Sequence, residues 1–153
     1  MRGVQKKIPT YGYHATVSLF GGVNVQTGRF HCMESERATA QAFLFFLIHL
    51  LQEYPNQHIV VILDNAKIHH AKMLRPFLQK HQERLTLIFL PPYSPNLNLA
   101  ERIWGWLKES VIANRFHRNR TDLRESILSF LAYLFEFPER VLQRIGQIHM
   151  SEC

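Results

Sequence analysis

The chain has 153 residues and is poor in the groups that most often declare a chemistry. Its two cysteines, Cys32 and Cys153, lie at opposite ends of the sequence, which excludes a cysteine-based zinc site and suits free thiols in a reducing compartment. It has two aspartates, Asp64 and Asp122, and no acidic residue of either kind before Glu34. The longest apolar run, residues 42–51, contains His49 and falls well short of the ~20 residues a bilayer span needs, so no membrane partner is expected. The basic residues after Met1 lead into Ile8-Pro9-Thr10-Tyr11-Gly12, which offers no apolar centre for a secretory signal. The expected location is the cytoplasm. Walker, Gly-x-Gly-x-x-Gly and Gly-x-Ser-x-Gly patterns are all missing, which argues against an ATPase, a dinucleotide enzyme and an α/β hydrolase.

What is present is enough for one ordinary globular domain. With 46% hydrophobic residues, a chain of this size can bury roughly two-thirds of its unfolded surface without disulfide or metal staples. Its net charge of +6 is unevenly placed: residues 1–33 carry Arg2, Lys6, Lys7 and Arg29 and no acid. Between Arg102 and Arg120 five cations, Arg102, Lys108, Arg115, Arg118 and Arg120, face Glu109 alone. Such a stripe is a candidate for phosphate contacts, because each neutralised phosphate releases condensed counterions; it is equally compatible with a merely solvated face.

Hydrophobic periodicity predicts the elements. Ala15, Val17 and Leu19 alternate as in a half-buried strand, and Gly21-Gly22 with Asn24 to Gly28 supply turn chemistry for a partner strand over 29–33. Ser35 is the expected cap of a helix over 36–54, with Phe43, Leu44, Leu47 and Leu51 at helical spacing. Residues 59–63 and 85–90 are apolar almost throughout, which predicts parallel strands covered on both faces and joined by a crossover helix over 68–82 that kinks or restarts at Pro76. Residues 91–96 read as a rigid proline loop, followed by helices from Asn98 to about 113, over 121–137 and over 139–145. The pattern is an α/β fold with a mixed sheet and a helical C-terminal third.

Two carboxylates stand out. Asp64 is delivered by a buried strand to the carboxyl edge of the sheet, where α/β proteins place their sites, though capping the next helix explains it equally well. Glu101 follows the proline loop and completes a capping box with Asn98. It also shares a helical stripe with Gly105 and Lys108, which leaves open, cationic space around it. If both converge, they are hard oxygen ligands suited to Mg²⁺ or Mn²⁺ and to phosphoryl transfer. His69 and His70, beside Lys67 and Lys72, read as surface or phosphate-contacting residues ahead of ligands or a general base.

In order and spacing, three segments resemble the catalytic core of DDE transposases of the insertion sequence 630 and mariner group. They are Ile59 to Leu63 leading into Asp64-Asn65-Ala66-Lys67-Ile68-His69-His70-Ala71, the run Leu90-Pro91-Pro92-Tyr93-Ser94-Pro95-Asn96-Leu97-Asn98, and Glu101-Arg102-Ile103-Trp104. The resemblance covers nearly the whole chain. It implies an RNase H-like mixed sheet, an antiparallel hairpin plus parallel strands flanked by helices, in which Asp64 and Glu101 are the second and third carboxylates of a catalytic site holding Mg²⁺ or Mn²⁺. It further implies metal-dependent DNA cleavage and strand transfer, with DNA as partner through transposon ends and target, and a nucleoid-associated place in the cytoplasm. Lys67, His69, Lys108, Arg115, Arg118 and Arg120 are then the expected DNA-contacting residues.

The chain departs from the family pattern at Asn96, where an acid is common, and at Leu99-Ala100, where Pro and an aliphatic residue are usual. The larger departure is at the front. The family's first aspartate belongs to a strand before the hairpin, and no acid occurs there. Residues 1–153 are therefore expected to be an N-terminally truncated, partial catalytic domain lacking the helix-turn-helix and the first catalytic strand, with a second copy or an upstream transposase segment as further partners. The competing classes are a non-catalytic DNA-binding or assembly fragment of a split transposase, and a receiver-like phosphoacceptor domain, which accounts for Asp64 but not for Glu101 or the proline loop.

Overall fold

Two apolar pentapeptides set the sheet direction. Ile59–Leu63 (β4) and Leu85–Phe89 (β5) pair in parallel from Ile59↔Leu85 to Leu63↔Phe89, as the crossover order requires. A computed structural model describes residues 2–9, 16–91, 99–113 and 116–149. In it these strands extend a five-stranded sheet of order β3-β2-β1-β4-β5. The expected antiparallel hairpin is formed by β2 (Thr16–Val23) and β3 (Phe30–Ser35). Its turn is held by Asn24, whose Oδ1 accepts from the N–H groups of Gln26 and Thr27, and by Gly28 at φ +80°, where a Cβ would strike the Pro138 carbonyl.

The place between β2 and β4 is filled by β1 (Arg2–Pro9), antiparallel to β2 along its length and parallel to β4 at Arg2↔Ile62 and Gly3↔Leu63. From sequence no strand is expected there, and the strand before the hairpin is expected to be missing. Residues 2–9 carry three cations and end in proline, with no steady alternation, so the pairing is imposed by the neighbours and not announced by the segment itself. β1 contains no acid, and the count of carboxylates read from the sequence stands.

Helix boundaries follow their caps. α1 (Ala40–Glu53) starts after Thr39, whose Oγ1 accepts from the Ala42 N–H at 3.1 Å; the expected cap, Ser35, instead ends β3 and donates to the Arg37 carbonyl. The helix expected over 68–82 is two 3₁₀ turns, Lys67–His70 and Lys72–Leu74, followed by α2 (Arg75–Lys80) with Pro76 in its first turn, where a missing N–H costs nothing. α3 (Ala100–Leu107) runs on into a π-helical turn, Lys108–Ile112. α4 (Arg120–Glu136) is capped by Asn119, and α5 (Pro138–His149) is longer than expected. The proline loop from residue 92, the Asn98 cap and Arg115 lie outside the described residues.

The core forms on both sides of the sheet. On one side α1 packs Phe43, Phe46, Leu47 and Leu50 against Phe20, Val61 and Leu63. On the other, Ile103, Trp104 and Leu107 of α3 and Leu123 and Ile127 of α4 pack on Val17, Leu19 and Val23. Trp104 sits over Gly21, where a Cβ would come within 2.6 Å of its ring, and meets Phe30 edge-on at 5.4 Å. α3 and α4 lie over β1, β2 and β3. Val60 and Ile88 consequently remain 37% and 47% exposed, which corrects the expectation that both faces of the parallel strands are covered. Among the described residues, no helix is long and apolar enough to cross a membrane.

Candidate metal centre and basic surfaces

Asp64 follows the last residue of β4 and turns the chain out of the sheet. Its Oδ1 accepts from the Ala66 N–H at 3.1 Å, so the capping role weighed from sequence exists as an Asx turn. The same oxygen lies 3.2 Å from Nδ1 of His69, and that nitrogen is 3.0 Å from the Asp64 carbonyl oxygen. A single N–H at Nδ1 can thus serve both acceptors of Asp64 and fix the side-chain torsion between them. The Asp64 side chain is 47% exposed, whereas that of His69 is 3% exposed with its ring 4.5 Å from the ring of Phe43. His69, expected from sequence to contact DNA, is buried with its ring beneath Asp64. Lys67 and His70 are exposed, His70 stacking on Phe89 at 4.0 Å and bonding Asn65 Oδ1.

Glu101 occupies the first turn of α3, the helix laid against β1 and β2. Ile103, Trp104 and Leu107 take the buried face, while Gly105 and Lys108 are exposed and a Cβ at Gly105 would meet nothing within 4 Å. The stripe of Glu101, Gly105 and Lys108 is thus turned away from the core. Asp64 and Glu101 come from the two elements that flank β1, β4 within the sheet and α3 above it. In kind, these oxygens fit a hard divalent ion. In number they fall short: among the described residues no group of three His, Cys, Asp or Glu could hold a metal.

The basic stripe lies elsewhere. Arg118 Nε pairs with Asp122 Oδ2 at 3.1 Å, a hydrogen bond that holds the Asp122 carboxyl below its usual range. Arg120 and Arg124 share Glu34 of β3 at 3.4 and 2.9 Å. Three arginines there are answered by nearby carboxylates, at the sheet edge three strand spacings of ~4.8 Å from β4. Arg118 and Arg120 are therefore not brought together with Asp64. Sequence reasoning missed the His69 brace, signalled by five-residue spacing from Asp64, and passed over Arg140 and Arg144, one turn apart on α5.

A model of the DDE superfamily endonuclease family matches residues 1–124. The chain is 27% identical over 139 residues to an uncharacterized 39 kDa protein of insertion element IS630 from Shigella sonnei, covering 90% of this chain and 40% of that protein. It spans less than half the length of the curated relatives it matches, 40% and 45%. Among solved structures it resembles the catalytic domain of Mos1 mariner transposase at a TM-score of 0.68 and 15% identity, over 95% of this chain and 78% of that one. The same domain with raltegravir and Mg also gives 0.68, at 15% identity over 95% and 79%. The Mos1 paired-end complex with the left transposon end gives 0.65 at 13% identity, over 95% and 52%.

Proposed function

The chain belongs to the DDE superfamily endonuclease family, and on that premise we propose that residues 1–153 are a partial RNase H-like catalytic domain of an insertion sequence 630 and mariner-type transposase. By itself this polypeptide binds DNA and one divalent ion without cutting. Asp64 and Glu101 are the residues that hold the ion, and His69 keeps the Asp64 carboxylate in place. Bound Mg²⁺ or Mn²⁺ supplies Lewis-acid polarisation of a phosphodiester. Lys67 and Lys108, both exposed, hold the phosphate backbone on either side of that position. DNA as partner draws support from the relationship to the insertion-element protein and to the Mos1 complex with its transposon end; Mg²⁺ draws support from the Mos1 domain with Mg.

One observation carries the reading: the strand beside Asp64, β1, holds no acidic residue. Fixing two ions at the separation that in-line displacement needs takes more than two carboxylates. Glu34 is no substitute, since it lies on β3 and is engaged by Arg120 and Arg124. Purified residues 1–153 incubated with supercoiled plasmid and Mg²⁺ or Mn²⁺ are expected to nick no faster than the Asp64→Ala variant. Weak, saturable Mn²⁺ broadening of nuclear magnetic resonances near Asp64 is expected in the wild type and lost in Asp64→Asn and Glu101→Gln. Nicking that Asp64→Ala abolishes would overturn the inactive reading, and broadening indifferent to both substitutions would overturn the metal assignment. A second reading, an assembly fragment completed by another transposase segment or copy, is favoured by the 37% and 47% exposure of Val60 and Ile88. It predicts protection of these two residues once that partner is added.

A further inference from the structure

α5 presents two unlike faces. Val141 and Ile145 are fully buried, whereas Arg140, Gln143 and Arg144, at i, i+3 and i+4, line a groove of about 350 Å³ together with Trp106 of α3. The Arg144 guanidinium carbon lies over the Trp106 ring, 4.4 Å from its centre, and the ring is braced edge-on by Phe130 at 5.3 Å and Tyr133 at 6.0 Å. Arg102 joins the cluster by donating to the Arg144 carbonyl oxygen at 3.2 Å. The carboxylates of the same helical stretches are Glu101, in the first turn of α3, Glu139, in the exposed first turn of α5, and Glu109, which is 74% exposed and 3.9 Å from Arg144. This differs from the stripe at 118–124, where Asp122 and Glu34 hold their arginines at 2.9–3.4 Å. Here, among the described residues, positive charge is gathered on an aromatic floor and Arg144 has only the long contact to the exposed Glu109.

We propose that this groove takes an unpaired nucleotide of a DNA strand, with its phosphate between Arg140 and Arg144 and its base stacked on the Arg144 guanidinium above Trp106. The proposal rests on the DNA-binding reading above and adds a site which that reading did not include. A guanidinium plane stacks on a base through its flat face while its edge N–H groups meet phosphate oxygens in pairs, which an ammonium cannot do. Any base offers a π-face, so the site is tolerant of sequence; the Gln143 amide, both donor and acceptor, suits any base edge. A duplex, whose bases are already stacked on one another, gains only the phosphate half of the interaction.

The chain supplies its own reporter, because of its two tryptophans Trp104 is 1% exposed and Trp106 is partly open. Titration of the full chain with a twelve-nucleotide oligothymidylate, read by tryptophan fluorescence and by anisotropy of labelled oligonucleotide, is expected to give saturable quenching and at least fivefold preference over a duplex of equal length. Arg140→Gln with Arg144→Gln should weaken binding about tenfold and reduce the slope of log affinity against log salt by about 1–2. Arg144→Lys should weaken it several-fold with the slope unchanged, and Arg75→Gln with Lys80→Gln, both exposed on α2, should leave the quenching as it was. Thermal melting checks that each variant folds, and Arg144→Lys stands in if the double variant does not. Binding seen by anisotropy without quenching, equal affinity for duplex, or indifference to Arg144→Lys and to the double variant would overturn the groove while leaving DNA binding intact. No binding by either signal would overturn both.

Discussion

In β2 every residue from Val17 to Phe20 is buried, while in β4 burial alternates, with Ile59, Val61 and Leu63 inside and Val60 at 37% exposure. Both strands have α1 and its aromatic residues beneath them, while α3 and α4 pack chiefly over β1, β2 and β3. Among the described residues β2 is packed on two faces, whereas β4 and β5 keep Val60 and Ile88 partly exposed. Asp64 emerges from the half-open side, and its brace, His69, is rooted in the sealed layer against Phe43. The contrast explains how a carboxylate can be half-exposed yet fixed: the buried His69 ring beneath Asp64 sets its torsion while the carboxylate keeps 47% of its side-chain surface open.

The contrast can be broken most directly at its sealed end. Trp104→Ala should cost about 3–5 kcal/mol in urea unfolding, because it opens a cavity over Gly21 that neighbouring rings cannot fill. A loss under ~1 kcal/mol would mean that the sealed half is loosely packed. A smaller effect is expected at its margin, where His31 Nε2 and the Tyr54 hydroxyl share a hydrogen bond at 2.7 Å and Asn24 Nδ2 donates to the same hydroxyl oxygen at 3.0 Å. Burial above all, then the charges of Arg29 and His49 against the opposing Glu53, pushes the His31 pKa down to about 4. The folded protein thus keeps His31 neutral where the unfolded chain takes up a proton near 6.5. Its stabilisation is complete above pH 6.5 and is lost as pH falls toward 4, on the order of 1–2 kcal/mol after solvent screening. Denaturant midpoints measured across that range should fall more steeply for the wild type than for His31→Gln; parallel curves would exclude His31 as the cause. The smallest effect belongs to the open half. Ile88→Thr should change stability by less than about 0.5 kcal/mol, and a larger loss would show that something covers that face in solution.

Local patterns carried much of the fold: the hairpin through its Asn24 and Gly28 turn, the parallel pair through its apolar runs, and the position of Asp64 at a strand end. They failed where the deciding group is distant in sequence. Thr39 displaces Ser35 as the cap of α1 because β3 continues through Ser35 to pair with Ser18. β1 is a strand because β2 and β4 offer it their edges. The stripe from Arg102 to Arg120 looked like a single charged surface, since Glu34, which answers Arg120 from 86 residues away, has no place in a local count.

The family motif, the two carboxylates at their separation and the absence of any acid in residues 1–33 are properties of the sequence alone, fixed by residue type and order. Which arginines keep their charge available, which face of the parallel strands is left bare and which histidine is spent on bracing Asp64 were decided by tertiary structure. Each depends on distances between groups far apart in the chain, and the Coulombic and packing energies that settle them fall off over a few ångströms of space, whatever the separation in sequence.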